Sequence, residues 1–463
     1  MAARLSNAVN PRPAAGTRAI LAASLGNLLE WYDFSVYALF AIYIGANFFP
    51  HGDPGVDVVK AFLVFGLGFV IRPLGAIVIG IYGDRAGRKA ALTGTILVMA
   101  CGTLIIAAAP SYAAIGLNAS LILLAGRLLQ GFSAGGEIGS AAAFLVEHAP
   151  PEKKGLFAAW LQASMGMSNI LGALVAFAIT ALLPNAEINR WGWRLPFFLG
   201  LAIVPLGVYL RRTLEETPTF RAEFSAQRAT GTQLIRGSKV ACGAFDDGGL
   251  KGATFSPVKT VFREYPKELV AGFGISILWA AAVYVLLIFM PVYLQQAFGF
   301  TAAQAFGGSL AENVAFVAGC FAFGALADRI GYAKLQVYGA AALLVGILPL
   351  FWWLDHARSG LVMGIVLVAC GIMTASFTGV APTVLSDLYP TRVRVTGVSL
   401  VYNAAFTIFG GFAPAILTWF TATGAGSVFA PAWYVTLAAV PALVAARMRR
   451  RTQSTGEIPV RNS

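Results

Sequence analysis

The stretch GRLLQGFSAGGE, from Gly126 to Glu137, places a positive and a negative charge inside a long apolar segment. The segment from Leu117 to Val146 is long enough to cross a bilayer as a helix. On that helix Arg127, Gln130 and Glu137 lie along one stripe, with small residues between them. A charge at the centre of a spanning helix costs about 2.5 to 3.5 kcal/mol and usually marks a functional site. The stretch therefore predicts that this helix lines a polar cavity. The structural alternative is that Arg127 only joins two helices through an ion pair or hydrogen bonds.

The amino-acid composition is that of a protein with many membrane spans. The chain has 463 residues, of which 58% are hydrophobic and 12% charged, and its mean hydropathy is +0.73. We therefore predict an all-α membrane protein. Apolar runs of about 20 residues or more predict twelve transmembrane helices, near residues 19–49, 58–82, 90–110, 114–146, 155–183, 192–212, 269–298, 302–327, 332–354, 359–388, 395–423 and 428–447.

The twelve predicted spans fall into two sets of six, and an internal repeat supports that division. GIYGDRAGRK follows the second span at Gly80 to Lys89, and GALADRIGYAK follows the eighth at Gly324 to Lys334. We therefore expect two pseudo-symmetric six-helix halves around a central site. The expected divisions are an N-terminal segment at 1–18, a first half at 19–212, a central loop at 213–268, a second half at 269–447 and a tail at 448–463.

The basic residues are distributed unevenly between the loops. Of the 33 lysines and arginines, 27 fall in the terminal segments and in alternate loops. Such a bias marks the cytoplasmic side, so we expect both termini to be cytoplasmic. The same bias accounts for the net charge of +12 without a nucleic-acid partner. Arg72 and Arg127 are the two basic residues predicted to lie inside the membrane.

Cysteine and histidine give no sign of a disulfide framework, a metal site or another cofactor. Cys101, Cys320 and Cys370 fall in apolar spans, Cys242 falls in a predicted loop, and the three histidines lie at loop ends. Any proton that crosses with a substrate must therefore be carried by carboxylates. The polar first seventeen residues and the long first span predict that no signal peptide is cleaved.

The first span contains two carboxylates within GNLLEWYDFSVY, from Gly26 to Tyr37. Asn27, Glu30 and Tyr37 share one helical face, and Asp33 lies beside it. Because neither carboxylate is stable against hydrocarbon, both are candidates for carrying a proton. A position near the interface, with a capping or snorkelling role, is the structural alternative, and it suits Glu30 better than Asp33.

Other spans supply further candidate contacts. Arg72 lies about midway in the second span, directly before Pro73, and its guanidinium can pair with a carboxylate. Gln162 and Asn169 of the fifth span share a face and serve either a substrate or hydrogen bonds between helices. Glu312 is the only deeply placed ionisable residue of the second half. The predicted substrate contacts are Asn27, Tyr37, Arg72, Arg127, Gln130, Gln162 and Asn169.

Several of these motifs resemble those of the major facilitator superfamily. GDRAGRK after span 2, the weaker ADRIG after span 8 and RLLQGFSAGGE in span 4 resemble the superfamily as a whole. GNLLEWYDF, GFVIRPLGA, WGWRLPFFLG and LRRTLEETPTF resemble its metabolite:proton symporters. The resemblance extends roughly from Arg18 to Arg447. It implies uptake of a solute such as citrate, tricarballylate, α-ketoglutarate, shikimate, proline or betaine by a bacterium.

The resemblance also implies roles for particular residues. Asp33 and Arg127 are similar to the acid and arginine that couple proton to substrate in the superfamily's symporters. Charged residues at helix ends imply a cytoplasmic latch that holds one conformation. Tyr332 and Ala333 depart from the pattern by replacing the basic residues expected in the second half. The implied latch residues are Asp84, Arg85, Arg88, Asp328, Arg329, Glu147 and Asp387.

We therefore predict a proton-coupled symporter that imports a small organic acid, most simply a di- or tricarboxylate such as citrate. The guanidiniums of Arg72 and Arg127 can each form two parallel hydrogen bonds to a carboxylate. The carboxylates of Asp33, Glu30 and Glu137 can take up or release a proton. When the site is empty Arg127 is expected to pair with Asp33, and a substrate that captures Arg127 then allows Asp33 to take a proton.

Several alternatives stay open at this point. The substrate class includes α-ketoglutarate, shikimate, an aromatic acid, or a zwitterion such as proline or betaine. Drug/proton antiporters carry a Gly-Pro motif in span 5, and that class is disfavoured because Glu152 to Leu183 contains no proline. A membrane enzyme is disfavoured because no histidine lies at membrane depth. A channel or receptor is disfavoured by the repeat. The expected partners are the substrate, the proton and the lipid of a bacterial inner membrane, and we expect a functional monomer.

Overall fold

The structure is a computed structural model that describes residues 13–49, 53–86, 88–135, 153–213, 257–390, 393–423 and 428–454. Helices account for nearly all residues in these ranges, and strands for none of them. The predicted loop around 228–257 lies outside the described residues, as do Glu137 and Glu147. The all-α fold class is confirmed.

Twelve long helical segments run through the described part of the chain, in the positions that the apolar runs predict. Shorter helices at Ala41–Phe48, Tyr112–Ile115, Asn185–Arg190 and Pro257–Glu264 flank them. The long helices are α1 (Pro13–Leu39), α2 (Pro54–Val70 and Arg72–Ala86), α3 (Arg88–Ala108), α4 (Leu117–Ala134), α5 (Lys154–Leu182), α6 (Leu195–Thr213), α7 (Pro266–Phe298), α8 (Ala302–Ile330), α9 (Tyr332–Ala357), α10 (Gly360–Ser386), α11 (Arg394–Ala422) and α12 (Ala430–Ser454).

The helices have the polarity of a membrane protein. Within the described ranges, 10 helices are long and apolar enough to cross a bilayer, and α3 adds a shorter apolar helix at Thr93–Ala108. Large apolar side chains cover the outer surface, as shown by the exposed fractions of Ile77 (61%), Val345 (70%) and Leu361 (76%). Polar side chains such as Gln130 are buried inside the bundle. This arrangement suits a lipid surround, because polar groups in hydrocarbon must find partners inside the protein.

Helix ends follow from local sequence. The Asp53 side chain caps α2 by accepting a hydrogen bond from the Gly55 backbone N–H at 2.8 Å, with Pro54 at the first helical position. Thr301 and Gln304 form a reciprocal capping box at the start of α8. Gly299 ends α7 in the left-handed region, with φ of +72°.

Glycines bring α2 and α4 into direct backbone contact. A Cβ on Gly131 would lie only 1.6 Å from the carbonyl oxygen of Gly68, and one on Gly135 only 1.9 Å from that of Arg72. A side chain larger than hydrogen at these positions would force the helices apart. The close crossing places Arg72 of α2 and Arg127 of α4 next to each other.

We expect Gly131→Ala to destabilise the N-terminal helices because its methyl group overlaps the Gly68 carbonyl. Overpacking of this kind lowers the free energy of unfolding by about 1 to 3 kcal/mol. Thermal unfolding of the purified protein in detergent measures the effect. Gly94→Ala on α3 is the matched control, since a Cβ there meets nothing within 4 Å. Equal melting temperatures for the two variants would contradict the packing argument.

The first six helices contact the last six at both ends of the bundle. At one end the Thr383 hydroxyl of α10 donates to the Lys154 carbonyl at the start of α5, at 3.3 Å. At the other end the rings of Phe62 and Phe289 lie 5.6 Å apart. In the middle, the Thr407 hydroxyl of α11 donates to the Phe69 carbonyl of α2 at 3.1 Å. The polar residues between these levels are enclosed by both sets of helices.

Candidate substrate and proton site

Two buried arginines contact the same aromatic ring, Phe34, within the N-terminal helices. The guanidinium carbons of Arg72 and Arg127 lie 4.8 and 4.9 Å from the centroid of Phe34. Arg72 also lies 4.1 Å from the Phe69 ring, and Arg127 4.3 Å from the Tyr37 ring. Desolvated cation–π contacts of this kind contribute about 2 kcal/mol each. The rings hold the guanidiniums in place without neutralising them.

Both arginines keep unused hydrogen-bond donors. Among the described residues, Nε and Nη2 of Arg72 and of Arg127 make no hydrogen bond, although both side chains are almost fully buried. Arg72 has an ionic partner in Glu30, with 3.8 Å between Nη2 and Oε1. Buried donors without partners cost free energy, and a guanidinium edge matches a carboxylate in shape and charge. This arrangement suits the binding of an anionic ligand.

A chain of three hydrogen bonds connects Arg127 to Asp33. Nη1 of Arg127 donates to the Gln130 side-chain oxygen at 2.6 Å, and Nε2 of Gln130 donates to the Thr103 hydroxyl at 2.9 Å. The Thr103 hydroxyl then donates to Oδ2 of Asp33. All four side chains are buried. Every donor in the chain points from the arginine towards the carboxylate, so the arrangement stabilises an ionised Asp33.

The connection differs from the pairing expected from sequence. Within the described part of the chain, Arg127 and Asp33 form no direct ion pair, because Gln130 and Thr103 lie between them. The Gln130 amide oxygen bonds to Arg127 and its nitrogen bonds to Thr103, whereas the sequence predicted that Gln130 contacts the substrate. Thr103 was missed by sequence analysis. Its only signal is a hydroxyl on the face of α3 that packs on α4, and buried threonines commonly bond only to their own helix.

The predicted polar contacts of α5 lie against α1. Nδ2 of Asn27 donates to the Leu161 carbonyl at 3.1 Å and to the Ser164 hydroxyl at 2.8 Å. The Ser35 hydroxyl donates to Asn169. These bonds join two helices, which is the structural alternative that the sequence left open. Nε2 of Gln162 and Nδ2 of Asn169 are buried and make no hydrogen bond among the described residues, so each side chain keeps a donor for a substrate.

Side chains of the C-terminal helices complete the enclosure. The Tyr284 ring of α7 packs on Trp31 and Phe69 at centroid distances of 5.7 and 5.3 Å. It lies in a segment of π-helix at Ala282–Phe289, a local widening that often occurs at functional sites. Glu312 of α8 is fully buried, and neither of its carboxyl oxygens makes a hydrogen bond within the described residues.

Two of the predicted latch residues make contacts at one end of the bundle. Asp328 of α8 accepts hydrogen bonds from the Gly155 and Leu156 backbone N–H groups at 2.7 and 3.1 Å, so it caps α5 of the other half. Asp387 accepts a hydrogen bond from the Tyr332 hydroxyl at 2.5 Å. Tyr332 therefore supplies a contact where the family pattern has a basic residue.

The other latch residues in the described ranges lie at the ends of α2, α3 and α8. Arg329 is exposed at the end of α8. Asp84 and Arg85 lie near the end of α2, and Arg88 begins α3. Within the described ranges no group of three or more metal-ligating side chains comes together.

The chain is similar to known transporters over almost its whole length. The family described as Sugar (and other) transporter matches residues 19–447. A citrate-proton symporter of Salmonella typhi is 33% identical over 96% of both chains. The glycine betaine/proline/ectoine/pipecolic acid transporter OusA of Dickeya dadantii is also 33% identical, over 94% of this chain and 83% of the relative. Among solved structures, the proton:xylose symporter XylE bound to 6-bromo-6-deoxy-D-glucose has a TM-score of 0.73 at 16% identity, covering 95% of this chain and 96% of that chain.

The likeness to the xylose symporter shows the fold alone, because the identity is low. The relatives and the structural neighbours named here are transporters and not enzymes. Similarity of this extent, together with twelve long helices and a buried charged centre, leads to one conclusion. The chain belongs to the Sugar (and other) transporter family, and its fold is that of a major facilitator superfamily transporter.

Proposed function

We propose that this protein is a proton-coupled importer of a small organic acid with two or more carboxylates, of which citrate is the leading candidate. It acts as a monomer in the inner membrane of a bacterium, with both termini cytoplasmic. The halves at 19–212 and 269–447 alternate around the central site. The observation that carries the proposal is the pair of buried guanidiniums, Arg72 and Arg127, each with hydrogen-bond donors that the described residues leave unused.

Substrate binding follows from the geometry of the two arginines. Their guanidinium carbons both lie within 5 Å of the Phe34 ring centroid. A molecule with two carboxylates can therefore engage both forks at once. Each desolvated carboxylate needs such a partner, because an unpaired charge at this depth is costly.

Proton coupling is assigned to Asp33 in the first place. Asp33 accepts a hydrogen bond from the neutral Thr103 hydroxyl and is joined to Arg127 through Thr103 and Gln130, so its protonation state responds to the partner that Arg127 engages. Glu30 already faces Arg72 in an ion pair, which makes it the reserve candidate. Glu137, the other reserve candidate, lies outside the described residues. When both substrate and proton are bound, the loaded site is closer to neutral and can move between the two sides of the membrane.

A zwitterion such as proline or betaine is the second candidate. One specific observation favours it besides the named relatives. Glu312 in the opposite half is a buried carboxyl group without a hydrogen bond in the described part of the chain. The Tyr284 ring of that half packs on Trp31 and on Phe69, the ring that Arg72 contacts. A carboxylate on the arginines and a cationic nitrogen among these rings would satisfy both halves.

The two candidates differ in a competition experiment. In proteoliposomes with an acidic exterior, we expect labelled citrate to accumulate, and unlabelled tricarboxylates and dicarboxylates to compete with it. We expect excess proline and betaine to reduce citrate uptake by less than twofold, because a single carboxylate engages only one arginine fork. Accumulation of labelled betaine or proline, with no accumulation of any di- or tricarboxylate, would reject the leading candidate in favour of the zwitterion. Dissipating the pH gradient is the control in both cases.

A further inference from the structure

The carboxyl group of Asp33 has a different environment at each of its two oxygens. Oδ2 accepts a hydrogen bond from the Thr103 hydroxyl. Oδ1 faces α6, where a Cβ built on Gly200 would lie 3.1 Å from it. Asp33 and Gly200 both line a cavity of about 30 Å³ between α1, α3, α4 and α6, which has room for a water molecule. The carboxyl group therefore contacts α3 on one side and a small cavity on the other.

The Thr103 hydroxyl has one proton and two acceptors within reach. One acceptor is Oδ2 of Asp33, and the other is the Met99 carbonyl, 3.1 Å away and one turn earlier in α3. A hydroxyl donates only one hydrogen bond at a time. Nε2 of Gln130 approaches the same oxygen as a donor at 2.9 Å. The Thr103 hydroxyl can therefore donate either to Asp33 or to the Met99 carbonyl, and Gln130 contacts the oxygen of this hydroxyl.

Charged and titratable groups approach Asp33 from several helices. On α1 these are Glu30, which lines the same cavity, and the neighbouring Tyr32. On α4 it is Arg127, close enough to act on Asp33 electrostatically. Arg72 of α2 pairs with Glu30 rather than with Asp33. The parts of α3 and α6 beside the carboxyl group contribute Thr103 and Gly200, neither of which carries a charge.

We propose that Thr103 is a positioning residue that couples substrate binding at Arg127 to protonation of Asp33; this inference rests on the proposed function. A substrate carboxylate that engages Arg127 draws the guanidinium away from Gln130. The freed amide no longer fixes the Thr103 hydroxyl, which turns its proton to the Met99 carbonyl. Asp33 then loses a hydrogen bond that stabilises its ionised form and takes up the cotransported proton. Release of the substrate reverses each step, so Asp33 returns the proton.

The pH dependence of uptake by Thr103→Val tests this role. Valine keeps the shape of threonine and removes the hydroxyl, so ionised Asp33 loses a donor. We expect the external pH at half-maximal uptake in proteoliposomes to rise by about one to two units, since one hydrogen bond to a charged group shifts a protonation equilibrium roughly 10- to 100-fold. Thr103→Ser keeps the hydroxyl and should keep the wild-type profile.

Thr418→Val on α11 is the matched control. Thr418 is also buried and donates to a carbonyl one turn earlier, that of Pro414 at 2.7 Å, but it has no carboxylate partner among the described residues. Its pH profile should not move. A wild-type profile for Thr103→Val, or an equal shift in Thr418→Val, overturns the inference. If the valine variant does not fold, Thr103→Ala takes its place with the same expectation.

Asp33→Asn separates this inference from the proposed function. If Asp33→Asn accumulates substrate with the wild-type pH dependence, then the proton site itself is wrong. If Asp33→Asn is uncoupled while Thr103→Val keeps the wild-type profile, the proton site stands and only the role of Thr103 is rejected.

Discussion

Uptake by Arg127→Lys is expected to fall at least 100-fold at substrate concentrations that are limiting for the wild type. Lysine keeps the charge but replaces a planar fork with a single point charge on a flexible stem. It therefore loses the paired hydrogen bonds to a substrate carboxylate, each contributing about 1.5 to 3 kcal/mol, and every 1.4 kcal/mol is a factor of ten. It also loses the stacked contacts with Phe34, Tyr37 and Phe65. Initial rates of labelled substrate uptake in proteoliposomes measure the effect.

Arg194→Lys provides the matched control for this prediction. Arg194 is half-buried before α6, donates to the carbonyls of Ala107 and Ala109 and stacks on Trp193. It is an arginine with a similar set of contacts but no place in the proposed site, so its variant should transport within a few-fold of wild type. Unchanged apparent affinity and rate for Arg127→Lys would show that this arginine does not bind substrate.

The main features of the fold could be predicted from sequence because they depend on local properties. A run of about 20 apolar residues predicts a spanning helix wherever it occurs. The repeated GDRAGRK and ADRIG motifs predict related positions in the two halves. Charges in apolar runs identified Arg72, Arg127, Glu30 and Asp33, and the structure buries all four.

The arrangement within the site depends on packing that a sequence does not display. The contact between α2 and α4 requires glycines at particular crossing points, and glycines are common throughout this chain. Gln130 could be placed on the same stripe as Arg127, but its second partner belongs to α3. Thr103 carries no charge and has no unusual neighbours, so nothing local distinguishes it from other buried threonines. The stacking of both guanidiniums on Phe34 likewise needs three helices to be positioned at once.

The positions of the two candidate proton carriers lead to different expectations for them. Glu30 is the partner of Arg72, and its removal leaves a buried guanidinium without its carboxylate. Asp33 is joined to its arginine by neutral groups, so its charge can change without exposing a fixed ion pair. We therefore expect Glu30→Gln to weaken folding or binding and to leave any remaining uptake dependent on the pH gradient.

Asp33→Asn, in contrast, is expected to abolish accumulation of substrate against its gradient while retaining exchange of labelled for unlabelled substrate at equal pH. Asparagine has nearly the size and shape of a protonated aspartate and can still accept the Thr103 hydrogen bond, so the site should keep its geometry. It cannot release a proton, and the pH gradient then has no group to act on. Asp355→Asn is the control, because Asp355 pairs with Arg358 at 2.7 Å at the end of α9, outside the site. Counterflow and gradient-driven uptake, measured on the same vesicles, give the two readouts. Accumulation by Asp33→Asn with the wild-type dependence on external pH would mean that the proton is carried by another group.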